Sequence, residues 1–419
     1  RAGFGDRLLP GNPGNAEIQD FHFSTKKTLN NKLPPRYRFA TNCRTIRLEK
    51  SKKNDYENKE IYDKQRWRYS TVKAITFSGS ESVKYENVAD PELRESTDVI
   101  VKVDLAGICG SDLHVYYERE KGLDHGTVMG HEFVGEIVDI GESVRNFSKG
   151  DKIISPFTTN CGECYFCRIG LTSRCERGEL FGWVEGGKGL HGGQAEYVRV
   201  PMADSTLTRM PKEVEPEAGL LLGDILSTGY FAAENAEIVP EGVYAVVGCG
   251  PVGLLAIISA IELGAEHVYA IDAIPERLAI AERFGATPID YQQTDAIAIL
   301  RDATDGRGVD AVLEVVGNTA AARLAYEIVR PGGIISVVGV HTDTNFAFSP
   351  ADAYDKNLTY KVGRCPARFY MEKLIPFVQE RKYDFTAVIS HCMALSEGEI
   401  GYEIFANKKD NCTKVVLYP

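Results

Sequence analysis

The sequence predicts an α/β protein in which an irregular β-barrel domain is followed by a doubly wound parallel sheet. Short strand-like segments separated by Gly, Pro and Asp continue from Thr71 to about Val200, which is typical of an irregular barrel. After Pro216 strand-like and helical segments alternate, which indicates a parallel sheet with helices on its faces. The length of 419 residues favours two or three units over one small core.

The predicted elements follow from local composition. In the barrel region, residues 72–77 and 99–103 are rich in β-branched residues and are predicted as strands. In the second region the predicted strands are residues 243–247, 267–271, 311–316 and 334–338, and the predicted helices are residues 251–263 and 275–284.

Charge is distributed unevenly along the chain, whose formal net charge is −11. Residues 1–70 hold 16 Lys and Arg against 8 Asp and Glu, whereas the remaining 349 residues hold 32 against 51. The acidic body argues against a nucleic-acid partner, and the absence of any run of eighteen apolar residues argues against a membrane span. Residues 1–70 are predicted to be a disordered extension or a mis-assigned upstream segment, with a mitochondrial presequence as the alternative.

Four of the ten cysteines lie within fifteen residues, at Cys161, Cys164, Cys167 and Cys175. This spacing lets four thiolates close a tetrahedron around zinc and leaves no open position, so a structural zinc site is predicted. A redox dithiol and a nucleic-acid-binding zinc ribbon are the alternatives, and the acidic body disfavours the ribbon. Because the ligands must be thiolates, a reducing compartment, the cytoplasm, is expected.

A glycine-rich turn follows the strand predicted at residues 243–247. The motif G-x-G-x-x-G directly follows a strand and opens a helix, which is the context of a dinucleotide-binding turn; its residues are Gly248, Gly250, Pro251, Val252 and Gly253. Asp272 lies nineteen residues beyond Gly253, where its carboxylate would accept the ribose hydroxyls and repel a 2′-phosphate. The sequence therefore favours NAD over NADP.

Arg277 is predicted to flank the adenosine ribose, and the alternative is a charge on the surface of a helix. For the glycine motif itself, the alternative is a tight turn without a ligand.

A second group of candidate metal ligands is dispersed. Residues 107–114 read GICGSDLH and place Cys109 at a strand end with Ser111 and His114 nearby, and residues 130–132 add His131 and Glu132. Each fragment is unremarkable by itself. Their position around a cysteine cluster and upstream of a nucleotide turn makes the combination informative.

With these motifs the chain resembles the zinc-containing medium-chain alcohol dehydrogenases over roughly residues 72–419. The resemblance rests on GICGSDLH, GHE, the four-cysteine lobe, GGQAEYV at residues 192–198 and GCGPVG, in this order and spacing. Residues 222–230, LGDILSTGY, look most like the formaldehyde-dehydrogenase-like branch. The fold that the resemblance implies is a GroES-like catalytic domain at residues 71–225 and 345–419 and a Rossmann domain at residues 226–344.

The resemblance also implies roles for individual residues. Cys109, His131 and Asp224 would ligate a catalytic zinc, with Glu132 as an alternating ligand or a neighbour of the site. Asp112 would accept the His131 ring N–H, although a turn-forming role is the alternative. Thr228 would contact the cofactor. The family pattern is incomplete, since Gly110 stands where an arginine often grips pyrophosphate, and Lys414 matches another pyrophosphate contact only loosely.

The implied activity is hydride transfer between an alcohol, or an aldehyde or ketone, and NAD(H), with two zinc ions per subunit. Ser111 would take the hydroxyl proton and His114 would pass it toward solvent. A small-molecule alcohol or aldehyde is the expected substrate, and a homodimer or homotetramer is the expected assembly. The alternatives are a polyol or threonine-type dehydrogenase and a non-catalytic binding protein that retains the fold.

Overall fold

The computed structural model describes residues 71–419. The extension predicted at residues 1–70 lies outside the described residues. Within the described residues, no helix is both long and apolar enough to cross a membrane.

The first part of the described chain is built from short strands. Their bounds are β1 Thr71–Phe77, β2 Val83–Ala89, β3 Val99–Ile108, β4 Phe133–Ile140, β5 Lys152–Ile154, β6 Trp183–Glu185, β7 Lys188–Leu190, β8 Tyr197–Val200 and β9 Thr208–Arg209. Strands β3, β4, β5 and β9 pair antiparallel in this order, β8 pairs with β3, and β1 pairs with β2. This is the predicted irregular barrel of the GroES-like domain.

A parallel sheet follows. Its strands are β10 Val243–Val247, β11 His267–Asp272, β12 Thr287–Asp290, β13 Val309–Glu314, β14 Val329–Val337 and β15 Thr359–Val362. Their order in the described chain is β12-β11-β10-β13-β14-β15, with all neighbours parallel. The order reverses beside β10, which is the arrangement of a doubly wound Rossmann sheet. The sheet extends past the predicted limit at residue 344, because β15 pairs with β14.

The helices that accompany these strands include several short ones near the barrel. The α-helices are Asp112–Tyr116, Tyr165–Arg168, Ala203–Thr206, Pro216–Gly223, Ile225–Asn235, Pro251–Glu262, Pro275–Arg283, Ala296–Asp302, Thr319–Ile328, Pro350–Asp355, Ala367–Gln379 and Gly398–Ala406. Short 3₁₀ turns cover Thr172–Arg174, Phe385–Val388, Leu395–Glu397 and Lys409–Asn411.

Burial explains why the sequence of the second region contains nearly continuous runs of apolar residues. Every residue of β10 is buried, because helices cover both faces of the sheet. Pro251–Glu262 is buried over most of its length and begins with Pro at its first position, where the missing N–H costs nothing. Each predicted strand and helix of this region overlaps an observed element, with the largest difference at β14, which begins at Val329 rather than at residue 334. Strands β12 and β15 were not predicted.

The last part of the chain returns to the barrel. Strands β16, His391–Ala394, and β17, Val415–Tyr418, pair with each other in parallel, and β17 pairs antiparallel with β3. Val415 lies opposite Ile108 in this register. The return brings the chain's last strand beside the end of β3, where the candidate metal ligands begin.

Candidate active site

Three side chains from separate elements converge at one end of the barrel. Cys109 directly follows β3, and His131 precedes β4, which is the antiparallel neighbour of β3. Asp224 lies at the break between Pro216–Gly223 and Ile225–Asn235. All three residues are buried, and their ligand atoms lie within 4.8 Å of one another.

The spacing of these atoms fits zinc. A tetrahedral zinc with ordinary bond lengths separates a sulfur from a carboxylate oxygen by about 3.6 Å, and a ring nitrogen from that oxygen by about 3.4 Å. Cys109 Sγ lies 3.6 Å from Asp224 Oδ2, and His131 Nε2 lies 3.4 Å from the same oxygen. Three protein ligands leave one position open for a substrate oxygen.

A hydrogen-bonded network orients His131. Its Nδ1 lies 3.2 Å from Asp112 Oδ1, as the resemblance implied, which leaves Nε2 turned toward the ligand cluster. Asp112 Oδ2 accepts the Cys109 N–H at 3.0 Å and the Gln194 amide at 3.3 Å. Tyr402 donates to Gln194 Oε1 at 2.9 Å. The carboxylate of Asp112 therefore positions two of the three candidate ligands.

The electrostatic environment of the cluster depends on burial and on neighbouring charges. Burial raises the pKa of the Cys109 thiol, and the Glu132 and Asp224 carboxylates add to this effect. Burial acts to lower the pKa of His131, but the Asp112 carboxylate outweighs it and the pKa is raised well above its ordinary value. A cluster with this much negative charge is one that a divalent cation would stabilise.

Glu132 lies beside this cluster and forms an ion pair with Lys414. Each residue is only 1% exposed, and the Lys414 amine contacts Glu132 Oε2. Glu132 Oε1 is buried and has no hydrogen-bond partner in the described chain. The Lys414 side chain is therefore not available as the pyrophosphate contact that the sequence suggested, because it is buried against Glu132.

Ser111 borders the cluster, as expected for a group that meets the substrate. Its Oγ lies 3.3 Å from Cys109 Sγ and 3.1 Å from His131 Nε2. His114 lies one helical turn further along Asp112–Tyr116, and its Nδ1 is buried without a hydrogen-bond partner in residues 71–419. Burial lowers the pKa of His114, which favours the neutral form of the ring.

Thr228 lies beside the metal ligands. Its Oγ1 donates to Asp224 Oδ1 at 3.2 Å. Burial raises the pKa of the Cys365 thiol well above its ordinary value, and the Thr228 hydroxyl acts in the opposite direction. Gly229 follows, and a Cβ there would lie 2.7 Å from the Ala256 amide nitrogen. The helix Ile225–Asn235 therefore packs closely on Pro251–Glu262, which begins at the glycine turn.

The four clustered cysteines form a second candidate site. The sulfurs of Cys161, Cys164, Cys167 and Cys175 lie within 4.8 Å of one another, and Cys161 Sγ lies 4.0 Å from Cys167 Sγ. Tetrahedral zinc places two sulfurs about 3.8 Å apart, so the lobe fits a closed zinc site.

Backbone N–H groups also point at these sulfurs. The Cys161 N–H donates to Cys175 Sγ at 3.2 Å, and the Cys164 N–H donates to Cys161 Sγ at 3.3 Å. Burial acts to raise the pKa of Cys161, but hydrogen bonds from the Glu163 and Cys164 backbone and from Arg177 lower it to about 6. Burial raises the pKa of Cys167 to about 12.

The glycine turn has the geometry that its sequence requires. Gly248 has a φ of +96°, which favours glycine. A Cβ on Gly253 would lie 1.9 Å from the Gly248 carbonyl oxygen, so only glycine permits this contact between helix and strand. Gly250 has open space around it, with only Arg277 Nη1 at 4.0 Å, which leaves room for a pyrophosphate at the helix N-terminus.

Asp272, the last residue of β11, forms hydrogen bonds with the backbone at the glycine turn. Its Oδ2 accepts the Cys249 N–H at 2.7 Å, and its Oδ1 accepts the Ala273 and Ile274 N–H groups. The carboxylate is thereby fixed at the rim of the turn. Arg277 reaches over the same rim, and its Nε is buried without a hydrogen-bond partner in the described chain.

Three features around the open cluster have no prediction from the sequence. The Glu132–Lys414 ion pair joins residues 282 positions apart, and nothing in the local sequence marks Lys414 as buried. Gln194 belongs to the GGQAEYV motif, which was the available signal, but its contact with Asp112 was not predicted. Cys365, buried beside Thr228, lies outside every motif that the sequence analysis used.

Two protein families match the chain. Residues 95–212 match the alcohol dehydrogenase GroES-like domain, and residues 251–380 match the zinc-binding dehydrogenase family. Zinc-type alcohol dehydrogenase B of Aspergillus flavus is 41% identical over 343 residues, covering 80% of this chain and 78% of that protein.

A solved structure and a further relative are also similar to the chain. The alcohol dehydrogenase TADH from Thermus sp. ATN1 has a TM-score of 0.78 and 39% identity, covering 83% of this chain and 99% of that one. The NADP-dependent isopropanol dehydrogenase of Thermoanaerobacter brockii is 32% identical, covering 70% of this chain and 84% of that protein. The chain belongs to the zinc-type medium-chain alcohol dehydrogenase family and is a zinc-dependent alcohol oxidoreductase.

Proposed function

We propose that the chain oxidises an alcohol, and reduces the corresponding aldehyde or ketone, at the cluster of Cys109, His131 and Asp224 with NAD as the cofactor. The observation that carries the proposal is the spacing of the three ligand atoms, which is that of a tetrahedral zinc with an open position. The close packing of Gly229 on Ala256 supports a nicotinamide near the cluster, because it ties the Asp224 helix to the glycine turn.

The residues around the cluster have distinct roles in this proposal. When bound, zinc would supply Lewis-acid polarisation of the alcohol oxygen, and NAD would supply the ring that accepts hydride. Ser111 takes the hydroxyl proton, since its Oγ borders both Cys109 and His131. His114 accepts the proton at its unpaired Nδ1 and passes it toward solvent. Asp112 holds His131 in the tautomer that leaves Nε2 free.

The preference for NAD over NADP rests on Asp272. Its carboxylate is fixed by three backbone N–H groups at the rim of the glycine turn, where it would repel a 2′-phosphate. The relative from Thermoanaerobacter brockii is named as NADP-dependent, so family membership alone does not decide the cofactor. Arg277, whose Nε is unpaired, lies nearby and would contact a phosphate once the carboxylate is removed.

Substitution of Asp272 tests this preference. Asp272→Gly should shift the ratio of kcat/KM for NAD to that for NADP toward NADP by roughly 10- to 100-fold, which is the effect of about 1.4 to 2.7 kcal/mol. Asp290→Gly, at the end of the neighbouring strand β12, is the matched control. If the ratio for Asp272→Gly equals that of the control, Asp272 does not determine the cofactor.

Two zinc ions per subunit are part of the proposal, one in each cluster. Elemental analysis of metal-loaded protein should give two zinc atoms per chain, and one or none would contradict the proposal.

Glu132 is proposed as an alternating ligand of the open site, because its Oε1 is buried and unpaired beside Cys109.

Three other predictions from the sequence extend the proposal. Residues 222–230 are the basis for membership in the formaldehyde-dehydrogenase-like branch. The family resemblance is the basis for a homodimer or homotetramer, and the thiolate ligands are the basis for a cytoplasmic location. The predicted cofactor contact of Thr228 remains compatible with its position beside Asp224. All three candidate ligands and Ser111 are present, which argues against a non-catalytic protein that retains the fold. A polyol or threonine-type dehydrogenase would keep the same fold, and the substrate panel tests that alternative.

The experiment that tests the activity is a panel of alcohols and aldehydes, run with NAD and NADP on protein of measured zinc content. Asp224→Ala should lose the zinc of the open cluster and the activity together, while the four-cysteine lobe retains its zinc. Activity that survives the loss of the open-site zinc would contradict the proposal.

A further inference from the structure

A buried carboxylate lies at the edge of the parallel sheet that carries the glycine turn. Glu314, the last residue of β13, pairs in register with Val247, the last residue of β10, and with Val337, the last residue of β14. The Glu314 side chain is fully buried, and both of its carboxylate oxygens have partners. A carboxylate in the interior requires such partners, and they show which parts of the chain it holds in place.

The partners of Glu314 belong to two neighbouring loops. Its Oε1 accepts the Val316 and Gly317 N–H groups, each at 2.8 Å, in the loop that follows β13. Its Oε2 lies 2.8 Å from Nε2 of His341, in the loop that follows β14. The His341 side chain is 25% exposed, so this contact is largely shielded from water. One carboxylate therefore ties both loops to the end of β13.

The two loops are also in direct backbone contact. A Cβ on Gly317 would lie 2.4 Å from the Val340 carbonyl oxygen, and a Cβ on Gly339 would lie 2.3 Å from the Gly317 amide nitrogen. Gly317 also has a φ of +81°, which favours glycine. Residues 315–319 and 338–343 therefore pack as one unit, which we call the paired loops.

The paired loops border the glycine turn. A Cβ on Gly248 would lie 2.5 Å from Val316 Cγ2, so the loop after β13 packs on the first glycine of that turn. Ser336, in β14, donates a hydrogen bond at 2.8 Å to a carbonyl of the helix Ile225–Asn235, which begins beside the metal ligand Asp224. The paired loops and the strand before them therefore connect the glycine turn with the helix that begins at the open cluster.

Strand β10 divides this edge of the sheet into two sides. Asp272 ends β11 on one side of β10, and the paired loops follow β13 and β14 on the other side. A dinucleotide binds across the crevice at the carboxyl ends of the strands, with its pyrophosphate at the turn after the first strand. With the adenosine half beside Asp272, the nicotinamide half extends toward the paired loops. Val316 and Val340, which are 42% and 39% exposed, provide apolar surface in these loops.

We propose that His341 and Glu314 are positioning residues for the nicotinamide half of the cofactor, because they hold the paired loops that this half contacts. This inference rests on the proposed function, since it concerns the same cofactor site, but it predicts cofactor binding rather than turnover. Loss of the His341 hydrogen bond leaves Glu314 Oε2 without its partner and holds the loop after β14 less firmly. The nicotinamide half then loses affinity, whereas the adenosine half, on the β11 side, does not.

Binding of a cofactor and of its fragment tests the proposal on the zinc-loaded full chain. Calorimetry compares NADH with ADP-ribose, which lacks the nicotinamide ring, and NADPH with 2′-phospho-ADP-ribose. The dinucleotide that binds the unmodified chain more tightly supplies the measured quantity, which is the Kd of the fragment divided by the Kd of the dinucleotide. His341→Leu should lower this ratio about 10-fold, as expected for the loss of a hydrogen bond to a charged group, with the Kd of the fragment unchanged.

Matched variants separate positioning from general destabilisation. His341→Gln keeps an N–H donor close to the position of Nε2 and should restore most of the ratio. His267→Leu removes an exposed histidine at the amino end of β11, in the same sheet, and should leave the ratio as in the unmodified chain. Asp343→Ala removes an exposed hydrogen bond from the Thr319 N–H, 3.1 Å long, that also joins the paired loops. It should lower the ratio less than His341→Leu, because water can replace an exposed partner.

Melting temperatures establish which variants are folded, and Asp343→Ala decides the question if His341→Leu does not fold. If the ratio falls in His341→Leu and recovers in His341→Gln while no alcohol is oxidised, the proposed activity fails and the positioning role stands. If alcohols are oxidised and the ratio in His341→Leu equals that in His267→Leu, the positioning role is refuted. An equal loss of affinity for the dinucleotide and for its fragment would also refute it, because the effect would then not be confined to the nicotinamide half.

Discussion

The buried ion pair between Glu132 and Lys414 offers a sharp test of how the site is held together. The substitution Lys414→Met removes the ammonium while keeping a side chain of similar length. Both partners are 1% exposed, so the Glu132 carboxylate would remain in the interior without its ion-pair partner. The other oxygen of Glu132 has no hydrogen-bond partner in the described chain, so no hydrogen bond replaces the lost contact.

The expected magnitude follows from this burial. Breaking a fully buried ion pair by removing one partner costs about 3–5 kcal/mol, because the charge that remains is uncompensated. Removing both charges, in Glu132→Gln with Lys414→Met, should cost much less than the sum of the two single changes. The pair Lys149–Asp139, with side chains 59% and 36% exposed, is the control. Lys149→Met should cost about 0–1 kcal/mol.

The assay is urea unfolding at a fixed zinc concentration, followed by far-UV circular dichroism, for the unmodified chain and the four variants. The order of transition midpoints is the readout, because a protein with two domains and bound metal need not unfold in two states. If Lys414→Met shifts the midpoint no more than Lys149→Met does, the buried ion pair contributes no more to stability than the exposed one. A double variant less stable than both single variants would show that the two charges do not compensate each other.

Three further predictions concern the metal clusters. Asp112→Asn should weaken zinc binding at the open site about 10- to 100-fold in a chelator competition, because Asp112 orients His131 and Cys109; an unchanged affinity would contradict this role. Ser111→Ala should lower kcat roughly 100- to 10,000-fold with the zinc content intact, and loss of zinc instead would show that Ser111 holds the metal site rather than the proton. Cys167→Ser should remove one of two zinc atoms and lower the melting temperature, with the open-site zinc retained; elemental analysis that still finds two would argue against a four-sulfur site.

Much of the fold could be predicted because its signals are local. The strand β10 and the helix Pro251–Glu262 are buried along their lengths, so their sequences are almost wholly apolar, and the glycines between them mark the turn. The closed cysteine cluster could also be predicted from the sequence, because its four ligands fall within fifteen residues and their spacing sets the geometry.

The open cluster could not be derived from spacing. Asp224 was assigned only by family resemblance, because a carboxylate at a helix break carries no local sign of metal binding. The hydrogen bond from Ser173 Oγ to the Arg364 carbonyl likewise joins residues 191 positions apart. Such contacts are properties of the tertiary structure, and periodicity and composition do not contain them.

The position of Lys414 illustrates how register assembles the site. Strand β3 lies between β17 and β4, with Val415 opposite Ile108 and Phe133 opposite Ala106. These two registers bring Lys414, Cys109 and Glu132 to the same edge of the sheet. A shift of β17 by one residue would turn the Lys414 side chain to the other face of the sheet and leave Glu132 unpaired. The energetic penalty of that unpaired carboxylate therefore disfavours the shifted register, and the buried ion pair that borders the metal site also selects the strand pairing on which the site depends.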